Sequence, residues 1–328
     1  MIPFDPHPFL KSAHRMTLAG RFWRRGLQRL PHPSERLFQV AADTQILAHC
    51  HWKPEPQRHP TLVVVHGLEG SSASRYVQGT AEKAWVAGFN VLRMNQRNCG
   101  GTERLTPTLY NSGLSGDYCA VVRELAGRDA LPEIFLAGFS MGGNLVLKAA
   151  AELSDEKLAA FRGAAVVCPT MHLAACSDAI HQRRNIVYER YFVRNMKRRY
   201  QHKMELFPEL FPRNGLERVR SIREFDDAVT APLCGYGNAV NYYDRASAMN
   251  VLEKIRVPTL VITAQDDPMV PYQSVRQPAL LANPDITLLA PEHGGHCAFV
   301  ARSGGEERFW AESRIVEFCR FQSHLLSA

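Results

Sequence analysis

The 328-residue chain has no run approaching 18 consecutive apolar residues, the length a helix needs to cross a bilayer, so a spanning helix is not expected. The opening "MIPFDPHPFLKSAH" lacks the charged start, apolar stretch and small-residue cleavage site of a secretory leader. Its eight cysteines are scattered, with no CxxC pair to suggest a metal site; they read as reduced thiols of a cytoplasmic protein. Internal repeats and low-complexity tracts are missing, as is any zinc-finger or RNP motif, so no nucleic-acid partner is expected. With 45% apolar and 22% charged residues, what remains is a globular chain able to bury a large core.

The formal charge of +7 is concentrated in two places, "RFWRRGLQR" (21–29) and "HQRRNIVYERYFVRNMKRRYQHK" (181–203). Each reads either as a solvated helix face or as a surface for lipid phosphates. Residues 9–30 alternate apolar and basic groups at helical spacing, which suits docking on the domain or contact with a membrane surface.

From residue 36 onward the chain acquires a rhythm. "RLFQVA" and "QILAHCHW" flank the turn signal Ala42-Asp43-Thr44 and predict a hairpin. "TLVVVHG" (61–67) predicts a buried strand and "AEKAWVAG" a helix closed by Gly88. "FNVLRMNQR" (89–97) is a further strand, and "SGDYCAVVRELAG" a helix capped near Ser115. "EIFLAGFS" and "GAAVVCPT" are strands with a helix between them. "VPTLVITAQDD" (257–267) and "ITLLAPEHGGH" (286–296) complete the set. Strands alternating with helices imply right-handed crossovers and a mostly parallel central sheet. Residues 171–250 break the rhythm with polar, aromatic, helix-prone sequence. They are expected to form a helical cap, dividing the core into 1–170 and 251–328.

Gly138-Phe139-Ser140-Met141-Gly142 fits G-x-S-x-G, a pattern that chance alone puts in about one chain in ten of this length, given ordinary glycine usage. The strand before it and the helix after it supply what a nucleophile elbow requires. The glycines let the backbone turn sharply there, and the serine hydroxyl meets a helix N-terminus that favours developing negative charge. A serine hydroxyl also needs a base and a group to orient that base. Asp266 and Asp267 follow the penultimate strand, and His293 and His296 follow the last, at the same sheet edge as Ser140. Asp267 is preferred because it leads into the Val270-Pro271 turn. His296 is preferred because Gly294-Gly295 lets its loop approach the serine. The oxyanion would rest on the backbone N–H groups of Met141 and of Leu68, in the turn after "VVVHG", each such donor being worth about 3 kcal/mol of barrier. His66 reads as structural, and Cys99 and Cys297 as neighbours without a role in the chemistry.

At this point the elbow, "HGLEGSSAS", "NQRNCGGTERLTPTLYNSG", "YYDRAS", and "VPTLVITAQDDPMVP" with "HGGH" resemble the YheT-like hydrolases. These form the AB-hydrolase 4 family of α/β-hydrolases, whose members include esterases, lipid-active enzymes and acyltransferases. "HPFLKSAHRMTL" is similar to the family's N-terminal segment, so the resemblance spans nearly the whole chain. Asn98 departs from the R-G-C-G-G of that family, at a position where asparagine tolerates a left-handed backbone. The resemblance implies an α/β-hydrolase fold and a Ser140–Asp267–His296 triad. The expected activity is that of a serine carboxylesterase acting on a small-molecule ester of short to medium acyl chain, without metal or cofactor. Acyl transfer to an alcohol is the alternative, and a non-catalytic binding protein of the same fold the less favoured one.

Overall fold

The computed structural model describes residues 2–26, 28–212 and 216–326. Leu27 of the first basic stretch, residues 213–215 of the expected cap and the last two residues lie outside them. Helices of eight or more residues are numbered below.

Eight strands form one sheet in the order β1-β2-β4-β3-β5-β6-β7-β8. They are β1 (Ser34–Ala41), β2 (Thr44–His51), β3 (Thr61–Val65), β4 (Asn90–Met94), β5 (Ile134–Phe139), β6 (Phe161–Val167), β7 (Thr259–Ile262) and β8 (Ile286–Leu289). The hairpin β1–β2 joins β4 antiparallel, and the pairs from β4 across to β8 are parallel. β3, β4 and β5 are buried along their whole length, as strands covered on both faces must be, whereas β1 alternates and edges the sheet.

Two apolar layers sandwich the sheet. One packs Leu136, Val166 and Val261 under α3 (Gly116–Gly127) and α4 (Met141–Asp155). The other packs Phe135, Val167 and Ile262 under α2 (Arg75–Val86) and α8 (Trp310–Gln322). Ser115 stands at the start of α3, but its hydroxyl turns to Glu152 instead of capping the helix. The helical spacing of residues 9–30 yields a shorter helix than expected, α1 (Ala13–Phe22). Helix α1 lies across the histidine loop: a Cβ on Gly20 would stand 2.5 Å from that of Ala298.

Between β6 and β7 the described residues form helices only, chiefly α5 (Leu173–Ile180), α6 (Ile186–Leu206) and α7 (Ala239–Ala246). They carry apolar clusters of their own, Val193, Tyr200 and Phe211 in one and Tyr242, Tyr243 and Ala246 in another. Because every parallel strand points its carboxyl end to one edge, the turns after β3, β5, β7 and β8 converge beneath these helices.

Candidate active site

β5 carries the chain straight to Ser140, which sits at φ +54°, ψ −121° and heads α4. That backbone is strained for a residue with a side chain, and it lifts the hydroxyl clear of the sheet. The neighbours must be small: a Cβ on Gly138 would lie 2.4 Å from the Gly142 carbonyl oxygen, and one on Gly142 2.3 Å from that of His66.

Ser140 Oγ lies 2.9 Å from His296 Nε2, and His296 Nδ1 lies 2.9 Å from Asp267 Oδ2. A carboxylate only accepts, so Nδ1 carries a proton, and in the neutral form of the imidazole Nε2 can accept from Ser140. Asp267 is held in turn by the backbone N–H groups of Met269 (2.8 Å) and Val270 (3.0 Å), the local reason for its position three residues before that turn. Its side chain is fully buried, and that of His296 is 11% exposed. Burial opposes charge on the imidazole, but the Asp267 carboxylate and the Cys297 thiol beside it outweigh that and hold His296 well above the usual histidine range.

The two alternatives, Asp266 and His293, pair with each other at 3.4 Å, outside this line. Asp266 also accepts from the Gly295 N–H at 2.9 Å, so it braces the loop that carries His296. Sequence reasoning missed Thr17. Its Oγ1 accepts from the His296 backbone N–H at 2.9 Å while its hydroxyl donates to the Ala13 carbonyl at 2.7 Å. The apolar-basic spacing placed a helix there, but nothing local links residue 17 to residue 296.

Leu68 and Met141 line one cavity together with Ser140 and His296. His66 is buried and pushed down to about 4, chiefly by burial, and its Nε2 accepts from the Gln96 N–H at 3.1 Å. It is a neutral structural residue. Asn98 sits at φ +63°, the left-handed backbone expected where the resemblance departs, and donates to the Thr108 carbonyl at 2.8 Å.

The cavity at Ser140 opens between Leu173, Ile180, Phe192, Met196, Ile222 and Met269. A second space adjoins it along Leu68, Met141, Met196 and Tyr242. Asp226 faces both spaces, its carboxyl pushed up to about 6 chiefly by burial and accepting from Tyr243 Oη at 2.8 Å. Among the described residues, Cys168, His296 and Cys297 bring potential metal-ligand atoms within 4.8 Å of one another. Both nitrogens of His296 already serve Asp267 and Ser140, so a metal there would compete with that line. Cys99 is buried, and burial pushes its thiol up to about 12, which leaves it inert.

The model of the α/β-hydrolase fold family matches residues 60–302. The chain belongs to that family. This hydrolase is 34% identical over 318 residues to a protein of Escherichia coli (strain K12) named "Putative esterase YheT", covering 96% of this chain and 92% of that one. That match makes it YheT-like, as the motifs suggested. It is also 27% identical over 288 residues to a monoacylglycerol lipase of Saccharomyces cerevisiae, covering 80% of this chain and 58% of that longer one. Among solved structures it resembles Est1E from Butyrivibrio proteoclasticus, with a TM-score of 0.56, 18% identity, and coverage of 88% of this chain and 98% of that one. A likeness at that identity shows the fold alone.

Proposed function

We propose that this protein is a carboxylic ester hydrolase of the esterase and lipase type that works through an acyl-serine. The observation that carries this reading is the unbroken hydrogen-bonded line from Asp267 through His296 to Ser140, opening into an apolar cavity. Names of relatives agree with it: an esterase and a monoacylglycerol lipase.

In this reading Ser140 Oγ attacks the ester carbonyl as His296 Nε2 takes its proton, and Asp267 steadies the imidazolium that forms. The N–H groups of Met141 and Leu68 hold the oxyanion. His296 returns the proton to the departing alcohol, then activates the water that releases the acid. The line of groups itself calls for no metal or cofactor in any step. Helices from 171–250 act as the cap, and the apolar cavity beneath them takes the acyl chain. Short to medium acyl chains are the expected substrates.

Hydrolysis of p-nitrophenyl esters from acetate to palmitate tests the reading. A maximum in the short-to-medium range, lost in Ser140→Ala, is expected. A Ser140→Ala variant as fast as wild type contradicts it. Adding ethanol and measuring ethyl ester formation separates hydrolysis from acyl transfer; hydrolysis is expected to dominate.

Helices α1 and α6 also present a joint basic and apolar surface beside the site. Lys11, Arg15, Leu18 and Phe22 share the exposed face around α1, and Val187, Arg190, Tyr191 and Arg194 that of α6. His14 Nδ1 lies 3.1 Å from Tyr188 Oη, and the Arg21 guanidinium donates to Tyr191 Oη at 2.6 Å, joining the two faces. This surface is the proposed contact with anionic lipid. Co-sedimentation with vesicles containing phosphatidylglycerol, and not with pure phosphatidylcholine, is expected, and its absence from both overturns the contact.

A further inference from the structure

Glu69 follows Leu68 directly, so a carboxylate stands one residue from the amide assigned to the oxyanion. The side chain is only 4% exposed, and the residue takes φ +55°. A buried negative charge in that position opposes the very charge an oxyanion site must stabilise, because little water screens it there. The chain supplies a partner from far away. Arg199, on α6, donates to Glu69 Oε2 through NH2 at 3.0 Å and to Oε1 through Nε at 3.2 Å. The same guanidinium donates to the Asn98 carbonyl, lies 3.5 Å from Glu103, and stands 5.3 Å from the Tyr110 ring centre. Tyr110 Oη donates to Glu69 Oε1 at 2.5 Å and accepts from the Glu69 N–H at 3.3 Å. The turn bearing Leu68 is therefore clamped at both its carboxylate and its backbone, and the clamp closes only with α6 in place.

We propose, building on the esterase reading, that Arg199 is a positioning residue: it neutralises Glu69 beside the Leu68 turn, so that the oxyanion site is electrostatically complete only when helix α6 is docked. Docking of the helical insertion then switches on chemistry at the sheet edge as well as covering the acyl chain. With α6 displaced, the Glu69 carboxylate next to the Leu68 turn is left uncompensated. With α6 docked, the paired charges leave the two amides to act alone.

The groups around Glu69 determine how this is read against pH. Burial keeps the Tyr110 phenol and the Cys99 thiol protonated, and it keeps His66 neutral. Glu103 faces Arg199 from its own turn, and Asp226, which titrates near 6, faces the same cavity. A change that Glu69 causes must therefore vanish when Glu69 is replaced, whereas one caused by Asp226 persists.

The experiment compares wild type, Arg199→Gln, Glu69→Gln and the double variant, each confirmed folded by thermal melting, at pH 6 and pH 8. Two rates are read: p-nitrophenyl ester hydrolysis, and labelling of Ser140 by a fluorophosphonate, which needs the nucleophile and oxyanion site but no particular substrate. Arg199→Gln is expected to lose at least tenfold in kcat at both pH values. KM should stay within about twofold, and the double variant should return to within about threefold of wild type at both pH values. Glu69→Gln alone keeps the cation beside the Leu68 turn and should also stay within threefold. That variant decides the matter if Arg199→Gln does not fold. A loss in Arg199→Gln with no recovery in the double variant overturns the proposal, as does a tenfold loss in Glu69→Gln or an unchanged Arg199→Gln. If wild type neither hydrolyses nor labels, the esterase reading falls and this inference with it. If wild type reacts and the variants match it, only this inference falls.

Discussion

The backbone N–H of His296 donates to Thr17 Oγ1 at 2.9 Å, tying the base of the Ser140 line to a helix 279 residues earlier in the chain. Helix α1 thus braces the candidate site from behind, although it lies outside the residues matched by the family model. Thr17→Val keeps the shape and removes the acceptor, leaving a buried N–H unpaired at a cost of about 1–3 kcal/mol. The histidine loop should shift slightly, and shifts of about 1 Å at such a base lower kcat by about a hundredfold. Thr17→Ser restores the hydroxyl and should recover most of the rate. Steady-state kinetics of the two variants check this; equal losses would assign the effect to lost methyl packing.

The pH profile follows from Asp267. A carboxylate at 2.9 Å raises the His296 value in spite of burial, and the base works only when neutral. Activity is therefore expected to rise with pH, with its midpoint in kcat/KM above the ordinary histidine value of about 6.5. Asp267→Asn removes the charge, so it should move the midpoint down while lowering kcat about a thousandfold or more. Asp266→Asn, which loosens only the hold on Gly295, should cost far less. A pH–rate series on the three proteins decides it.

Much of the candidate site was legible because its parts are local motifs whose order follows the sheet. Ser140 sits between a buried strand and a helix. Asp267 announces its turn through Val270-Pro271, and His296 its loop through Gly294-Gly295. The parallel alternation of strands then forces all three to one edge. Thr17 and the Arg199–Glu69 pair were not legible: each depends on contacts between residues 279 and 130 positions apart, set by packing that no local pattern encodes. The basic run around Arg199 read as a solvated face or a phosphate surface, yet this arginine turns inward at 14% exposure. Helix α1 was foreseen too long, because its apolar-basic spacing continues past Phe22 where the backbone turns extended at Trp23.

Cys297 stands beside the base and provides a chemical probe. Burial pushes its thiol up, but the hydrogen bond with Cys168 and the charge on His296 prevail and bring it below the ordinary thiol value. It keeps partial exposure, whereas the other partly exposed thiol, Cys234, is pushed up to about 11 by burial. Iodoacetamide at pH 7 should therefore modify Cys297 first and abolish activity by crowding His296. Cys297→Ser should hydrolyse esters and resist the reagent. Peptide mapping after partial inactivation identifies the site; alkylation at another cysteine in step with activity loss would contradict this.

Elbow geometry gives a stability expectation. Gly142→Ala would set a Cβ 2.3 Å from the His66 carbonyl and 2.7 Å from that of Val65, both backbone atoms of the sheet edge. Overpacking of this kind costs about 1–3 kcal/mol, and here it also displaces the Met141 amide. A lowered melting temperature together with a loss of kcat is expected, while a variant with wild-type melting and kinetics would mean the edge yields freely.

The most direct test of the central claim is mass spectrometry after fluorophosphonate labelling of wild type, Ser140→Ala and His296→Ala. The account expects one adduct, on Ser140 of the wild type, formed at least a hundredfold more slowly in His296→Ala and missing from Ser140→Ala. An adduct on another residue, or labelling of Ser140 at the same rate without His296, would contradict it.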